Sequence, residues 1–292
     1  MKRSRARAAV SPKPPSEPVT APIRVVEPQV WRAGRLSAGT RAIPEETAVA
    51  FTYDGSSYAV MMATPQDLED LAIGFSLSER IVAAPAEIEQ IEVIEQEIGI
   101  ELRMRLKEPH ARAFQERRRY LAGPTGCGLC GIESLEEATR PPAPILRQAE
   151  FSSDDIMRAL HTLDSLQSMN ARTRAVHGAA FYLPPQGLVA IREDVGRHNA
   201  LDKLVGALAR TGLTGERGFA VVTSRLSVEM IQKAASLAIP LIVAVSAPTA
   251  LAVRTAEAAG MTLVAVARHD GFEIFTHPQR IREERGLHVV AG

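Results

Sequence analysis

The chain has 292 residues, 46% of them hydrophobic and 23% charged, with 34 basic side chains balanced by 34 acidic ones. That is an ordinary globular composition, long enough for one large core or two modest ones, and its zero net charge supplies no overall field for nucleic acid or an anionic membrane. Only two cysteines occur, Cys127 and Cys130, which argues against a disulfide-stapled fold.

Residues 1–22 are rich in Pro, Ser, Arg and Lys without an apolar period, and read as a disordered, solvated tail, with a basic docking arm as the alternative. Ala8-Ala9-Val10 gives way at once to Ser11-Pro12-Lys13-Pro14-Pro15, so no secretory apolar region forms and a cytoplasmic protein is expected. Residues 23–122 predict a small α+β domain. Thr47 to Tyr53 and Ser57 to Ala63 are strand-like and joined by Asp54-Gly55, a hairpin signal. Thr64-Pro65-Gln66-Asp67 is expected to start a helix, with Thr64 as cap and Leu68, Leu71, Ala72 and Phe75 on one face. Alternation of Ile100, Leu102, Met104 and Leu106 marks a further strand with one buried face.

Residues 123–145 hold the glycine-rich run Gly123 to Gly131, with both cysteines, and the linker Pro141-Pro142-Ala143-Pro144. Residues 146–292 then predict an α/β domain. Ser152-Ser153-Asp154-Asp155 caps a helix carrying Ile156, Leu160, Leu163 and Leu166. Strands follow at 179–183, 188–193, 219–223, 241–245 and 262–266, with helices at 196–210, 227–238 and 249–259. That alternation predicts a largely parallel sheet with helices on both faces. The most apolar stretch, residues 238–253, is broken by Pro240, Ser246, Pro248 and Thr249, so it is a strand followed by a helix and not a membrane span.

Four segments could carry chemistry. Both thiols of the chain sit in Cys127-Gly128-Leu129-Cys130, where a loosely held loop suits a reactive sulfur; the flanking Arg117, Arg118 and Arg119 and a helix expected from Glu133 would favour thiolate. Half of a zinc site and a thioredoxin-like redox pair are the alternatives for that spacing. Between Arg192 and Lys203, a strand ends and a helix begins amid polar residues: Arg197 and His198 beside the helix N-terminus suit an anion such as phosphate, and Asp194 suits a base edge, a ribose hydroxyl or His198. Glu193 and Lys203 read as a helix cap and a surface ion pair. The turns after the next two strands carry Ser224 and Arg225, then Ser246 and Thr249, so three polar turns would line one crevice at the carboxyl ends of the strands and suit a nucleotide-like ligand. No GxGxxG or Walker pattern is present. His177-Gly178 reads as structural, and Thr276-His277-Pro278-Gln279-Arg280 as a turn closing the sheet edge.

Taken together, Cys127-Gly128-Leu129-Cys130-Gly131, the Arg192 to Lys203 segment, Ser224-Arg225, Ser246-Ala247-Pro248-Thr249 and Thr276 to Arg280 resemble the formate dehydrogenase accessory sulfurtransferases, the FdhD family, from about Val25 to Arg280. The resemblance implies a cytoplasmic, homodimeric carrier. It would take sulfur as a persulfide from a cysteine desulfurase and pass it to the molybdenum bis(guanine dinucleotide) cofactor, the bound substrate, for the catalytic subunit of formate dehydrogenase. Cys127 would carry the persulfide with Cys130 as its partner. Val266, Ala267, Arg268, His269, Asp270 and Gly271 would contact the cofactor, GDP would serve as an analogue, and no metal would be bound directly. It also implies a three-layer C-terminal domain similar to that of cytidine deaminases. Deaminase chemistry itself is disfavoured, because His177-Gly178-Ala179 lacks the required glutamate and the cysteines precede it. A cofactor-binding chaperone without sulfur chemistry and, further off, a zinc-dependent deaminase are the other functions weighed.

Overall fold

Strands with alternating side chains and strands with unbroken apolar runs sort into two sheets in this chain. The computed structural model describes residues 21–108, 111, 141–146 and 149–283. Two short ribbons come first, β1 (Ile23–Val26) paired with β4 (Arg41–Pro44) and β2 (Gln29–Arg32) paired with β3 (Arg35–Ala38). A four-stranded sheet follows, made of β5 (Thr47–Tyr53), β6 (Ser56–Ala63), β7 (Ile88–Gln96) and β8 (Gly99–Leu106) in the order β6-β5-β8-β7. Asp54 and Gly55 both adopt positive φ, 48° and 77°, the backbone that a two-residue hairpin requires. Ile100, Leu102, Met104 and Leu106 all face the core, as their alternation predicts.

Helix α1 (Leu68–Ser78) crosses this sheet and starts later than the sequence suggests. Thr64 is not its cap: the Thr64 hydroxyl accepts from the Val195 N–H at 3.1 Å and its own N–H donates to Asp194 at 3.0 Å, so the turn is drawn into a distant segment. Asp70 through Leu77 are all buried, because the helix is covered on its far side as well.

The cover comes from the second unit. It comprises β9 (Phe151–Ser152), α2 (Ser153–Leu166), α3 (Ser168–Thr173), β10 (His177–Leu183), β11 (Gly187–Asp194), α4 (Arg197–Arg210), β12 (Phe219–Val222), α5 (Val228–Ala235), β13 (Leu241–Ala244), α6 (Ala250–Ala259), β14 (Thr262–Arg268), β15 (Gly271–Ile274) and β16 (Ile281–Arg282). Ser152 caps α2 as predicted, accepting from the Asp155 N–H at 3.0 Å, and Leu166 alone of the four apolar positions is exposed. The sheet runs β11-β10-β12-β13-β14-β15. It is mixed, which corrects the expectation of a largely parallel sheet: only β12, β13 and β14 run parallel. The connections β10 to β11 and β14 to β15 are too short for a crossover and force antiparallel hairpins. Helices α4, α5 and α6 cover one face around Phe181, Val222 and Ile242, and α2 covers the other around Tyr182, Phe219 and Val243. The unit is thus a three-layer α/β structure.

The two units meet where α1 lies against α4. A Cβ on Gly74 would fall 1.7 Å from the Asp202 carbonyl oxygen, and one on Gly206 would fall 1.9 Å from that of Asp70, so only glycine permits this approach. Val205 of α4 belongs to the core of the first unit. Charges line the same joint. Asp70 accepts from Arg192 at 2.6 Å and Arg210 at 2.8 Å, and Asp202 accepts from Lys233 at 2.9 Å. Lys203 and Asp194, both fully buried, pair at 2.6 Å. The sequence reading placed Lys203 in a surface ion pair; the closure of the joint puts it inside. No helix among the described residues is long and apolar enough to cross a membrane.

Candidate functional site

The apolar runs of β12, β13 and β14 stop at polar residues on one edge of the six-stranded sheet, and the turns that follow are tied to one another through the main chain. The Leu226 N–H donates to Ala247 O, the Thr249 N–H to Leu226 O and the Val266 N–H to Ser246 O. Because β10 runs antiparallel to β12 and β11, its first residue, His177, joins the same edge directly across from Asp194. The Thr223 N–H donates to Gly178 O, and the Thr223 hydroxyl accepts from the Gly178 N–H at 2.9 Å, which fixes the start of β10 against the first turn. The edge therefore gathers His177, Arg197, His198, Ser224, Arg225, Ser246 and the end of β14 on a backbone frame.

Not every sequence-predicted residue is presented. Asp194 is fully buried, and its two oxygens accept from the N–H groups of Thr64 and Gly196, the Asn199 amide and the Lys203 ammonium. With its acceptor sites taken up this way it has none left to read a base; it braces the turn instead. Glu193 is buried too, and it caps α3 by accepting from the Met169 and Asn170 N–H groups, both at 2.8 Å. Ser224 is buried with its hydroxyl turned to Arg225 O at 3.1 Å, whereas Arg225 is exposed. Thr249 caps α6 through the Ala252 N–H at 3.2 Å.

Val266 adopts φ 52° at a bulge in β14, an unfavourable backbone for a β-branched residue, and Ala267 behind it is buried. The Arg268 guanidinium turns back across the edge to donate to Val245 O and Ala267 O. His269 points elsewhere: its ring stacks on His161 of α2 at 5.3 Å and lies 3.4 Å from Asp164. His269 and Asp270 form the β14–β15 turn, and Gly271 opens β15. His277 Nε2 donates to Glu257 O at 3.0 Å and sits at the far end of α6, consistent with a closing turn. Cys127 and Cys130 lie outside the described residues.

Among the described residues Arg197, Arg225 and Arg268 stand at this edge against the carboxylate of Glu229. His198 lies 2.9 Å from Glu229, and that contact holds the Glu229 carboxyl down to about 2. Burial lowers the His177 imidazole below the usual histidine value, and the nearby Arg197 lowers it further. A frame of main-chain turns carrying Arg197, Arg225 and two imidazoles suits an anionic ligand. Among the described residues no group of three His, Cys, Asp or Glu is placed to hold a metal ion. The sequence reading took His177 as structural and did not single out Glu229; the short β10–β11 connection, by making the pair antiparallel, was the signal that could have placed His177 on this edge.

Comparison with known proteins gives concordant results. The model of the FdhD/NarQ family matches residues 44–282. A protein of Agrobacterium fabrum named "Sulfur carrier protein FdhD" is 52% identical over 265 residues, covering 90% of this chain and 97% of the relative. A protein of the same name from Brucella abortus is 52% identical over 86% of this chain and 94% of its own length. A crystal structure described as a formate dehydrogenase accessory protein from Desulfotalea psychrophila superimposes with a TM-score of 0.73 at 23% identity, covering 90% of this chain and all of that one, and so shares the fold.

Proposed function

Because the chain belongs to the FdhD/NarQ family, we propose that it is a sulfur carrier that matures formate dehydrogenase. The observation that carries this reading is the 52% identity, along 97% of its length, to a relative named as a sulfur carrier. We place the sulfur on Cys127, with Cys130 as its partner, since these are the only thiols of the chain. The Cys127 thiolate attacks the terminal sulfur of a cysteine desulfurase persulfide, forming Cys127–S–SH and releasing the donor's cysteine as thiolate. Attack of the Cys130 thiolate on the Cys127 sulfur would then release hydrosulfide and leave a Cys127–Cys130 disulfide, the two thiols supplying the two electrons that reduce the sulfane sulfur. Direct transfer from Cys127 to the acceptor is the other route.

The acceptor in this reading is the molybdenum bis(guanine dinucleotide) cofactor, held at the sheet edge by Arg197, His198, Arg225, Ser246 and the turn from Val266 to Gly271 before delivery to the formate dehydrogenase catalytic subunit. What supports it is the convergence of cationic side chains on one edge, carried by turns tied to one another through the main chain, which suits the diphosphates of a dinucleotide. We further expect a cytoplasmic homodimer and a second unit similar to cytidine deaminases.

One experiment tests the relay. Incubation with a cysteine desulfurase and sulfur-labelled cysteine should label the wild-type chain in a reductant-sensitive way, and Cys127→Ala should abolish the label. Full formate dehydrogenase activity in cells carrying Cys127→Ala would overturn the relay. If the double Cys→Ala variant supports activity while Arg225→Ala does not, the protein is a cofactor-binding chaperone without sulfur chemistry.

A further inference from the structure

The cationic and imidazole groups of the sheet edge divide by whether the protein supplies their partners. Arg268 donates to Val245 O and Ala267 O, and His198 faces Glu229. Arg197 and His177 have neither an ion pair nor a side-chain hydrogen bond among the described residues, and Arg197 Nε is shielded from solvent without an acceptor. The two arise from adjoining elements. His177 opens β10 opposite Asp194, and Arg197 opens α4 three residues beyond Asp194, so guanidinium and imidazole come close enough to repel each other's charge. Neither can turn to Asp194, whose oxygens are taken up by Thr64, Gly196, Asn199 and Lys203. Two half-buried donors lacking an acceptor, side by side at a helix N-terminus, are complementary to an anion that the protein does not itself provide.

We propose that His177 and Arg197 together grip the diphosphate of the bound nucleotide, and that this binding draws one proton from solvent onto the His177 imidazole. This rests on the reading of the edge as a guanine-nucleotide site and deepens it. The step is a proton transfer alone: a lone pair on one imidazole nitrogen takes the proton, the buffer base is left behind, and no group is oxidised or reduced.

The sign follows from the surroundings. In the free protein, burial first, then Arg197 and also His198, favour neutral His177, with Asp194 opposing them. Arg225 and Arg268 on the neighbouring turns and Glu229 on α5 are the remaining charges at this edge among the described residues. An anion seated between His177 and Arg197 reverses the local field and favours imidazolium. Affinity therefore rises as pH falls through the bound-state pKa of His177 and levels off below its free-state value.

Titration calorimetry of the full chain with GDP, in two buffers of different ionisation enthalpy at about pH 6.5 and about pH 8, reads the proton directly. Wild type should take up a substantial fraction of a proton at the lower pH and nearly none at the higher. His177→Gln should abolish the uptake and weaken GDP at the lower pH about tenfold. Arg197→Gln should weaken GDP at both pH values. Near-ultraviolet circular dichroism verifies that each variant is folded, with His177→Asn as the substitute should His177→Gln fail. GDP binding without uptake, or uptake that persists in His177→Gln, overturns this proposal alone. No GDP binding by folded wild type overturns it together with the nucleotide reading of the edge.

Discussion

The joint between the two units and the open edge of the six-stranded sheet draw on the same twelve residues, Arg192 to Lys203, and treat them in opposite ways. At the joint every charge is matched: Arg192 with Asp70, Lys203 with Asp194, Asp202 with Lys233. At the edge Arg197 and Arg225 have no carboxylate among the described residues. Charges buried with partners fix a geometry, and charges left without them wait for something from outside. Asp194 belongs to the first set although its neighbours in sequence belong to the second, and it links the two, since its oxygens hold both the Thr64 turn of the first unit and the Gly196 turn of the rim.

The comparison breaks most severely at the joint. Gly74→Val or Gly206→Val inserts atoms where even a Cβ would overlap a main-chain carbonyl, and we expect the cooperative thermal transition to be lost, since overpacking typically costs about 1–3 kcal/mol, occasionally more, and here neither backbone can yield. A normal melt for either variant would show that α1 and α4 are not in contact in solution. Next in size is Lys203→Met, which strands the buried Asp194 carboxylate. It should cost about 3–5 kcal/mol and lower the melting temperature by several degrees, measurable by scanning calorimetry.

At the edge the expectation inverts. Arg225→Gln should change stability by no more than about 0.5 kcal/mol, yet weaken GDP about tenfold and flatten the salt dependence of its binding. A variant that loses stability but not affinity would move Arg225 to the joint's side of the comparison. The smallest effect sharpens it. Glu229, paired with His198 at the rim, titrates near 2, below its unfolded value; its contribution is thus complete above the ordinary glutamate range and is lost as pH falls toward 2. Because both side chains are partly exposed, Glu229→Gln should alter acid stability only slightly, while a carboxyl nuclear-resonance titration should show the depressed midpoint.

Local signals carried much of the fold. The 47–63 hairpin, the Ser152 cap and the strand-helix alternation from 219 to 268 were legible because turn chemistry and apolar runs are decided within a few residues. Strand β7 was not, because Ile88, Ile91 and Ile94 recur every third residue, a spacing closer to a helix than to a strand, on a segment with little buried surface. The ribbons β1 to β4 are short and mostly exposed, which leaves no period to read. At the site, Arg197, His198 and Arg225 were legible as residues just beyond strand ends. The fate of Asp194 was not, since it is decided by Thr64, 130 positions away, and the place of His177 was hidden by an antiparallel pairing that reverses which end of β10 reaches this edge.

The seating of Val205 in the core of the first unit also sets a timetable for synthesis. The four-stranded sheet and α1 leave the ribosome about a hundred residues before α4, so at ordinary elongation rates the face of α1 around Gly74 stays uncovered for roughly 5–20 s. The first unit therefore completes its core only after α4 has been translated.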